Sequence, residues 1–126
     1  MLYSKLVTST STTVPELVFT STTTGDPIGG AIVGQENAIT TMVLCNTGTP
    51  DLTDESVNTV SASVYLVKSG ESYSAANRIV SDLIVPAGES VFFSDEKIIL
   101  SPGDEIYVGT TSASLLSVTV SSFKVN

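Results

Sequence analysis

Carboxylates are the side chains in this sequence whose types and spacing could support acid–base catalysis. The chain has no histidine and a single cysteine, so neither a Ser-His-Asp nor a Cys-His arrangement can activate a nucleophile. Two tandem acidic pairs remain, Asp95-Glu96 and Asp104-Glu105, and a hairpin that joined one member of each could form a glycosidase dyad. The chain lacks tryptophan and has only 6% aromatic residues on which a sugar could stack. We therefore predict that the protein is not an enzyme and has no catalytic residues.

Oxygen ligands for calcium are the next candidates. Asp51, Asp54 and Glu55 lie in one polar loop, and Asp26 lies in a glycine-rich turn. Their spacing does not match the twelve-residue calcium-binding loop, and the glycines between Gly25 and Gly34 lack the ending of a phosphate-binding loop. We predict solvated acidic loops, with no bound metal and no cofactor.

Two tyrosines could instead form a sugar-binding surface. Tyr65 falls on the polar side of a predicted strand, and Tyr73 falls in the loop that follows it. We expect both to be surface side chains without a ligand, and we keep a carbohydrate-binding module as an alternative function.

The charge balance excludes several classes of partner. The net charge is −8, from 13 acidic and 5 basic residues. The bases are isolated from one another, so the chain lacks the cluster that phosphate backbones or anionic membranes require. We predict no nucleic-acid partner and no membrane partner.

Low charge also points to contacts with other proteins. Charged residues make up 14% of the chain, against roughly 25% in a typical soluble domain, while serine and threonine occupy 36 of its 126 positions. Exposed apolar area is uncommon on monomers, so we expect part of the surface to lie against neighbours. The length suits one domain, residues 1–126.

The single Cys45 lies in an apolar segment, which predicts a free, buried thiol, and one cysteine excludes an internal disulfide. The N-terminus lacks the apolar segment of a signal peptide. We therefore expect synthesis in a cytoplasm.

Short segments with period-two alternation dominate the chain. In Val60–Val67, Val60, Ala62, Val64 and Leu66 would face the core, and the opposite side would be rich in hydroxyls. Two turns, Pro86–Glu89 and Pro102–Glu105, separate further apolar segments, because proline and glycine favour chain reversal. Only Ser74–Asn77 could form a helical turn. We predict an all-β, antiparallel β-sandwich of eight to nine short strands, of the jelly-roll or immunoglobulin-like type.

The N-terminal segment has two possible structures, and the last strand needs a β-bulge to bury all its apolar residues. Residues 1–24, rich in threonine and serine, could form edge strands at Leu2–Thr8 and Leu17–Thr22, or an arm that adds a strand to a neighbour. In the last strand, Val118 and Val120 are out of phase with Phe123 and Val125. A β-bulge at Ser121-Ser122 would return all four to the core.

An ordered set of turn and strand motifs runs from Ile39 to Asn126, about two thirds of the chain. The motifs are Asn46-Thr47-Gly48, Val64–Val67, Val85–Ser90, Lys97–Asp104 and Leu116–Val125. In this order they resemble small β-sandwich structural proteins of tailed bacteriophages.

The resemblance implies a non-enzymatic virion protein, present in many copies, that decorates or cements the capsid. Its partners would be copies of itself, as a homo-oligomer and possibly a trimer, and other virion proteins such as the major capsid protein. Alternative positions are the neck, the tail or the baseplate. The implied location is the virion, after synthesis in the host cytoplasm.

Overall fold

The computed structural model describes residues 2–21, 36–94 and 98–125. These residues form nine β-strands and one short 3₁₀ turn. The strands are β1 (Leu2–Leu6), β2 (Glu16–Thr20), β3 (Glu36–Asn46), β4 (Val60–Val67), β5 (Arg78–Val85), β6 (Ser90–Phe93), β7 (Ile98–Leu100), β8 (Glu105–Thr110) and β9 (Leu116–Val125). In this part of the chain no helix has the length and apolar character needed to cross a bilayer.

The strands form two antiparallel sheets, which confirms the predicted fold class. Sheet A has the order β1-β9-β3-β6, and β7 also pairs with β3. Sheet B has the order β2-β8-β4-β5. Because β7 and β6 pair with successive halves of β3, they act as one interrupted strand at the edge of sheet A.

The hydrophobic core lies between the sheets and follows the predicted alternation. Val60, Ala62 and Val64 of β4 are buried, and they face Met42 and Leu44 of β3 in one continuous cluster. Full burial of one such large aliphatic side chain contributes roughly 1.5–3 kcal/mol. Strands are confirmed within both predicted segments, Leu2–Thr8 and Leu17–Thr22, as β1 and β2, each at the edge of a sheet. Both strands end before the predicted bounds, and Thr22 lies outside the described residues.

Both predicted turns are present, and glycine has a specific role in each. Pro86 C=O accepts from Glu89 N–H at 3.1 Å, and Ser101 C=O accepts from Asp104 N–H at 3.0 Å. The third residues of these turns, Gly88 and Gly103, have φ of 79° and 93°, a region that side chains disfavour. The Ser74–Asn77 segment also forms the expected single turn, with Ser74 as its cap.

The bulge predicted in the last strand is wrong. Successive pairs run from Ile39–Ser122 to Thr41–Ser121, so the extra residue is Thr40 of β3. The strand β9 continues its alternation without interruption. Ser122 is therefore buried and Phe123 is 53% exposed, which places Phe123 on the outer side of sheet A.

One buried amide, that of Asn46, connects the end of sheet A to sheet B. Its Nδ2 donates to Val85 C=O at 2.9 Å and to Asn58 C=O at 2.7 Å. Its Oδ1 accepts from Gly48 N–H at 2.9 Å, and its main chain bonds to Glu89 and Gly88. The side chain is fully buried, so these bonds replace all the water that it loses on folding.

A serine- and threonine-rich loop, residues 8–15, carries the chain from sheet A to sheet B. Glu16 fixes both of its ends. The carboxylate accepts from the main chain of Thr8 and from that of Ser9 at 2.7 Å, and it pairs with Lys5 at 3.0 Å. Ser9 Oγ lies within hydrogen-bond distance of both Ser11 C=O and Val14 C=O, which share its one hydrogen. The hydroxyls of this loop thus satisfy main-chain groups that no strand pairs.

Opposing effects act on the pKa of Glu16. Partial burial works to raise it, but the hydrogen bonds from Lys5, Thr8 and Ser9 together outweigh burial and lower the pKa below its ordinary value of 4.5. A lowered folded-state pKa stabilises the fold above pH 4.5, and that stabilisation is lost as the pH falls through the lowered value.

We expect Asn46→Ala to lower the free energy of unfolding by about 2–4 kcal/mol, because it leaves Val85 C=O and Gly48 N–H buried without a partner. Asn77→Ala is the matched control, since its amide makes two hydrogen bonds, against three for Asn46, and is more exposed. It should cost less than about 1 kcal/mol. Urea denaturation measures both, and equal losses would contradict the role of Asn46.

We expect Glu16→Gln to lower the free energy of unfolding by about 1 kcal/mol at neutral pH, a modest value because both members of the Lys5 pair are partly solvated. The difference from the parent should shrink to nothing in acid, where Glu16 is itself protonated. Urea titrations from about pH 7 to about pH 2 measure this, with exposed Glu71→Gln as the control. A difference that is independent of pH would show that the charge is not responsible.

Candidate interaction face on sheet A

The outer side of sheet B is covered by the chain itself. Tyr65 of β4 is only 1% exposed, and its O–H donates to Thr12 C=O at 2.7 Å. The loop approaches β8 so closely that a Cβ on Gly109 would lie 2.8 Å from Ser11 O. Glycine is therefore required at that position, and the side of β4 expected to be an open hydroxyl surface is closed.

Three tyrosine rings pack together beside this loop, and Tyr73 lies at the surface as expected, 37% exposed. Tyr73 lies 5.9 Å from Tyr65 and 5.4 Å from Tyr107, measured between ring centroids, and the Arg78 guanidinium lies over Tyr65 at 5.4 Å. Burial, followed by the negative charge of nearby Glu105, raises the pKa of Tyr107. The expectation of a surface Tyr65 is wrong, because the ring that a sugar would stack on is already occupied.

The outer side of sheet A is exposed in the described chain. We call it the open face and define it by the outward residues of five strands. They are Leu2, Ser4 and Leu6 of β1; Ala38, Thr40, Thr41, Val43 and Cys45 of β3; Ser90 and Phe92 of β6; Ile99 of β7; and Ser117, Thr119, Ser121 and Phe123 of β9.

The strand register places large apolar side chains in rows across the open face. Phe92 lies opposite Val43, and Ile99 and Phe123 flank Ala38 from its two sides. Phe92 is 66% exposed, Ile99 56% and Phe123 53%. Clustered exposure of this kind marks a contact surface more often than single exposed residues do.

The residues that define the open face carry no charge. Glu36, an exposed acid on the same side of β3 as Ala38, lies at the margin of the face where the strand begins. The hydroxyls between the apolar residues bond to one another and to the main chain, as Ser4 does with Thr119 and Thr40 with Ser121, at 3.0 Å. Such a face can lose its water without stranding a charge, which lowers the free-energy cost of covering it.

Two apolar dipeptides in the sequence indicate that large apolar side chains are exposed on this face. Neighbours in a strand point to opposite sides, so one member of Phe92-Phe93 and one of Ile98-Ile99 had to face outward. Cys45 also differs from expectation. Its free thiol is half-buried on the open face instead of lying in the core.

The structure gives Asp104 a structural role. Its two carboxylate oxygens accept from Ser69 N–H at 2.9 Å and Ser101 N–H at 3.0 Å, and it thereby joins two loops. Glu105 lies beside Tyr107, whose O–H approaches it at 3.4 Å. Asp95 and Glu96, which a dyad would also need, lie outside the described residues.

The acidic loop folds on its own hydrogen bonds. Thr53 N–H and its hydroxyl donate to Asp51, and these bonds lower the pKa of Asp51; the hydroxyl and then the N–H of Ser56 do the same for Asp54. Within the described residues, no three metal-ligating side chains form a group. Asp26 lies outside those residues.

An open groove of about 510 Å³ lies between this loop and the turn at Pro86–Glu89. Ile84, which is mostly exposed, lies on its floor, and Asp51, Glu55 and Glu89 lie around it. The groove combines apolar lining residues with carboxylates from two separate segments of the chain.

No known protein family matches the chain, and neither a curated protein nor a solved structure is significantly similar to it. The open face is therefore the feature on which a function can be argued.

Proposed function

We propose that the protein is a non-enzymatic structural subunit of a tailed-phage virion, in which the open face lies against neighbouring virion proteins. The carrying observation is the uncharged open face, with Phe92, Ile99 and Phe123 each more than half exposed. The ordered motifs between Ile39 and Asn126 supply the virion part of the proposal. Decoration or cementing of the capsid is the favoured position.

The physical properties of the open face suit a subunit in a repeating lattice. Removal of water from hydroxyls and apolar groups costs less than removal from lysine or glutamate. In a lattice each subunit makes several contacts at once, so modest individual affinities combine into stable attachment. Of the acids in the described part of the chain, only Glu36 lies at the margin of the face, and a net charge of −8 keeps free subunits soluble.

The sandwich also supports a passive role. Each sheet is tied to the other by the Asn46 amide and by the Glu16–Lys5 pair, which favours a rigid body over a hinged one. A rigid face needs no ordering when it binds, so little conformational entropy is lost. Major capsid protein and further copies of this chain are the proposed partners.

We expect Phe92→Asp to remove the protein from purified particles, because the substitution places a charge within the contact. Copy number per particle, measured by quantitative mass spectrometry, should fall at least about tenfold, the ratio that 1.4 kcal/mol produces. Hundreds of parental copies would indicate the head or tail tube, and a few dozen or fewer the neck or baseplate.

Leu52→Asp is the control, since Leu52 is fully exposed in the acidic loop and is not part of the open face. It should leave the copy number unchanged. Circular dichroism and thermal unfolding should show both variants folded. Absence of the parental protein from particles, or normal incorporation of the Phe92→Asp variant, would overturn the proposal.

A further inference from the structure

The edge strands of the two sheets differ in how well they could accept another strand. The strand β2 has a register shift at Val18, and β5 has two shifts, around Asp82 and Ile79. The interrupted edge stops at Phe93 and resumes at Ile98. Bulges and interruptions of this kind block edge-to-edge pairing. Of the described edges, only that of β1 is neither shifted in register nor interrupted.

The hydrogen bonds of Val7, just beyond the end of β1, show which main-chain groups of β1 point away from β9. Val7 N–H donates to Leu116 C=O at 2.8 Å, and Val7 C=O accepts from Ser114 N–H at 2.9 Å, so the main chain of Val7 points toward β9. Main-chain groups alternate along an antiparallel strand. The groups of Leu2, Ser4 and Leu6 therefore point away from β9, toward the open edge of sheet A.

From this we infer that β1 is a dimerisation strand, which pairs antiparallel with β1 of a second copy of the chain about a two-fold axis at Ser4. Leu2 then lies opposite Leu6 of the second copy, Tyr3 opposite Lys5, and Ser4 opposite Ser4. The two five-stranded sheets become one continuous sheet, and the two open faces become one uncharged surface.

The charge of Lys5 and the number of paired residues favour the register centred on Ser4 over those centred on Tyr3 or Lys5. Centring on Lys5 would place two lysines directly opposite each other, which destabilises a sheet. Centring on Tyr3 would leave Leu6 without a partner. Centring on Ser4 pairs every residue of β1 and brings together Leu2 and Leu6, which are 70% and 46% exposed in one copy. Lys5 stays bound to Glu16 and Leu17 C=O of its own chain.

A second copy is the occupant that this edge favours. The pairing is self-complementary, as a two-fold interface requires, and each copy supplies both the apolar pair and the free main-chain groups. The dimer deepens the proposed function because it enlarges the same open face, but its assembly in solution does not depend on attachment to a virion.

The experiment uses the purified full chain with Cys45→Ser as background. Light scattering should give a mass twice that of the monomer. Ser4→Cys should form a disulfide-linked dimer on mild oxidation, since directly opposed strand residues lie about 5.5 Å apart. Ser90→Cys, an equally exposed serine on β6, is the control and should stay monomeric on a denaturing gel.

Proline variants separate pairing from folding. Ser4→Pro removes an N–H that points to the second copy, and an edge strand tolerates proline there. It should raise the dimer Kd at least about tenfold, because the two-fold contact loses two hydrogen bonds, and should change Tm little. Lys5→Pro removes an N–H that points to β9 and should lower Tm.

Three results would overturn the inference. They are a monomer at every concentration, a dimer that Ser4→Pro does not weaken, and a dimer in which Ser4→Cys forms no disulfide. If the dimer forms but the protein is absent from particles, the proposed virion role fails and the β1 interface stands.

Discussion

The buried amide of Asn46 is the constraint on which the rest of the sandwich depends. It ends β3 in sheet A, bonds to the end of β5 in sheet B, and holds the loops that start at Gly48 and Pro86. Two of its three side-chain hydrogen bonds are buried and the third is partly buried, so the loss of one partner would leave the others costly to bury. Because this junction fixes where the two sheets meet at one end, it also fixes which side of each sheet faces outward.

The outer side of sheet B is covered and the outer side of sheet A is exposed. The difference comes from the route of the chain. The loop at residues 8–15 crosses onto sheet B, where Gly109 lets it approach and Tyr65 donates to it. Its hydroxyls satisfy main-chain groups of the loop, which explains the serine and threonine content of residues 8–15. Sheet A receives no such cover from the described residues. Its apolar and hydroxyl side chains remain available to a partner.

The acidic residues have different roles in the structure from those that the sequence suggested. As a pair, Asp104 and Glu105 suggested a catalytic carboxylate. In the fold, Asp104 accepts two main-chain bonds that join separate loops, and Glu105 lies beside Tyr107. Asp51 and Asp54 hold local turns in the same way. Carboxylates that are committed to N–H donors in turns stabilise the shape of the surface around them.

The sequence by itself determined the strands, the antiparallel sandwich and both Pro/Gly turns, because alternation and turn chemistry act over a few neighbouring residues. It also required that one residue of Phe92-Phe93 point outward. Only the tertiary structure decided that the bulge lies at Thr40 and not at Ser121, that Tyr65 is covered, and that the exposed apolar residues share one uncharged face. Those outcomes depend on which strands become neighbours and where a distant loop crosses. Such contacts join residues far apart in the chain, and local patterns do not encode them.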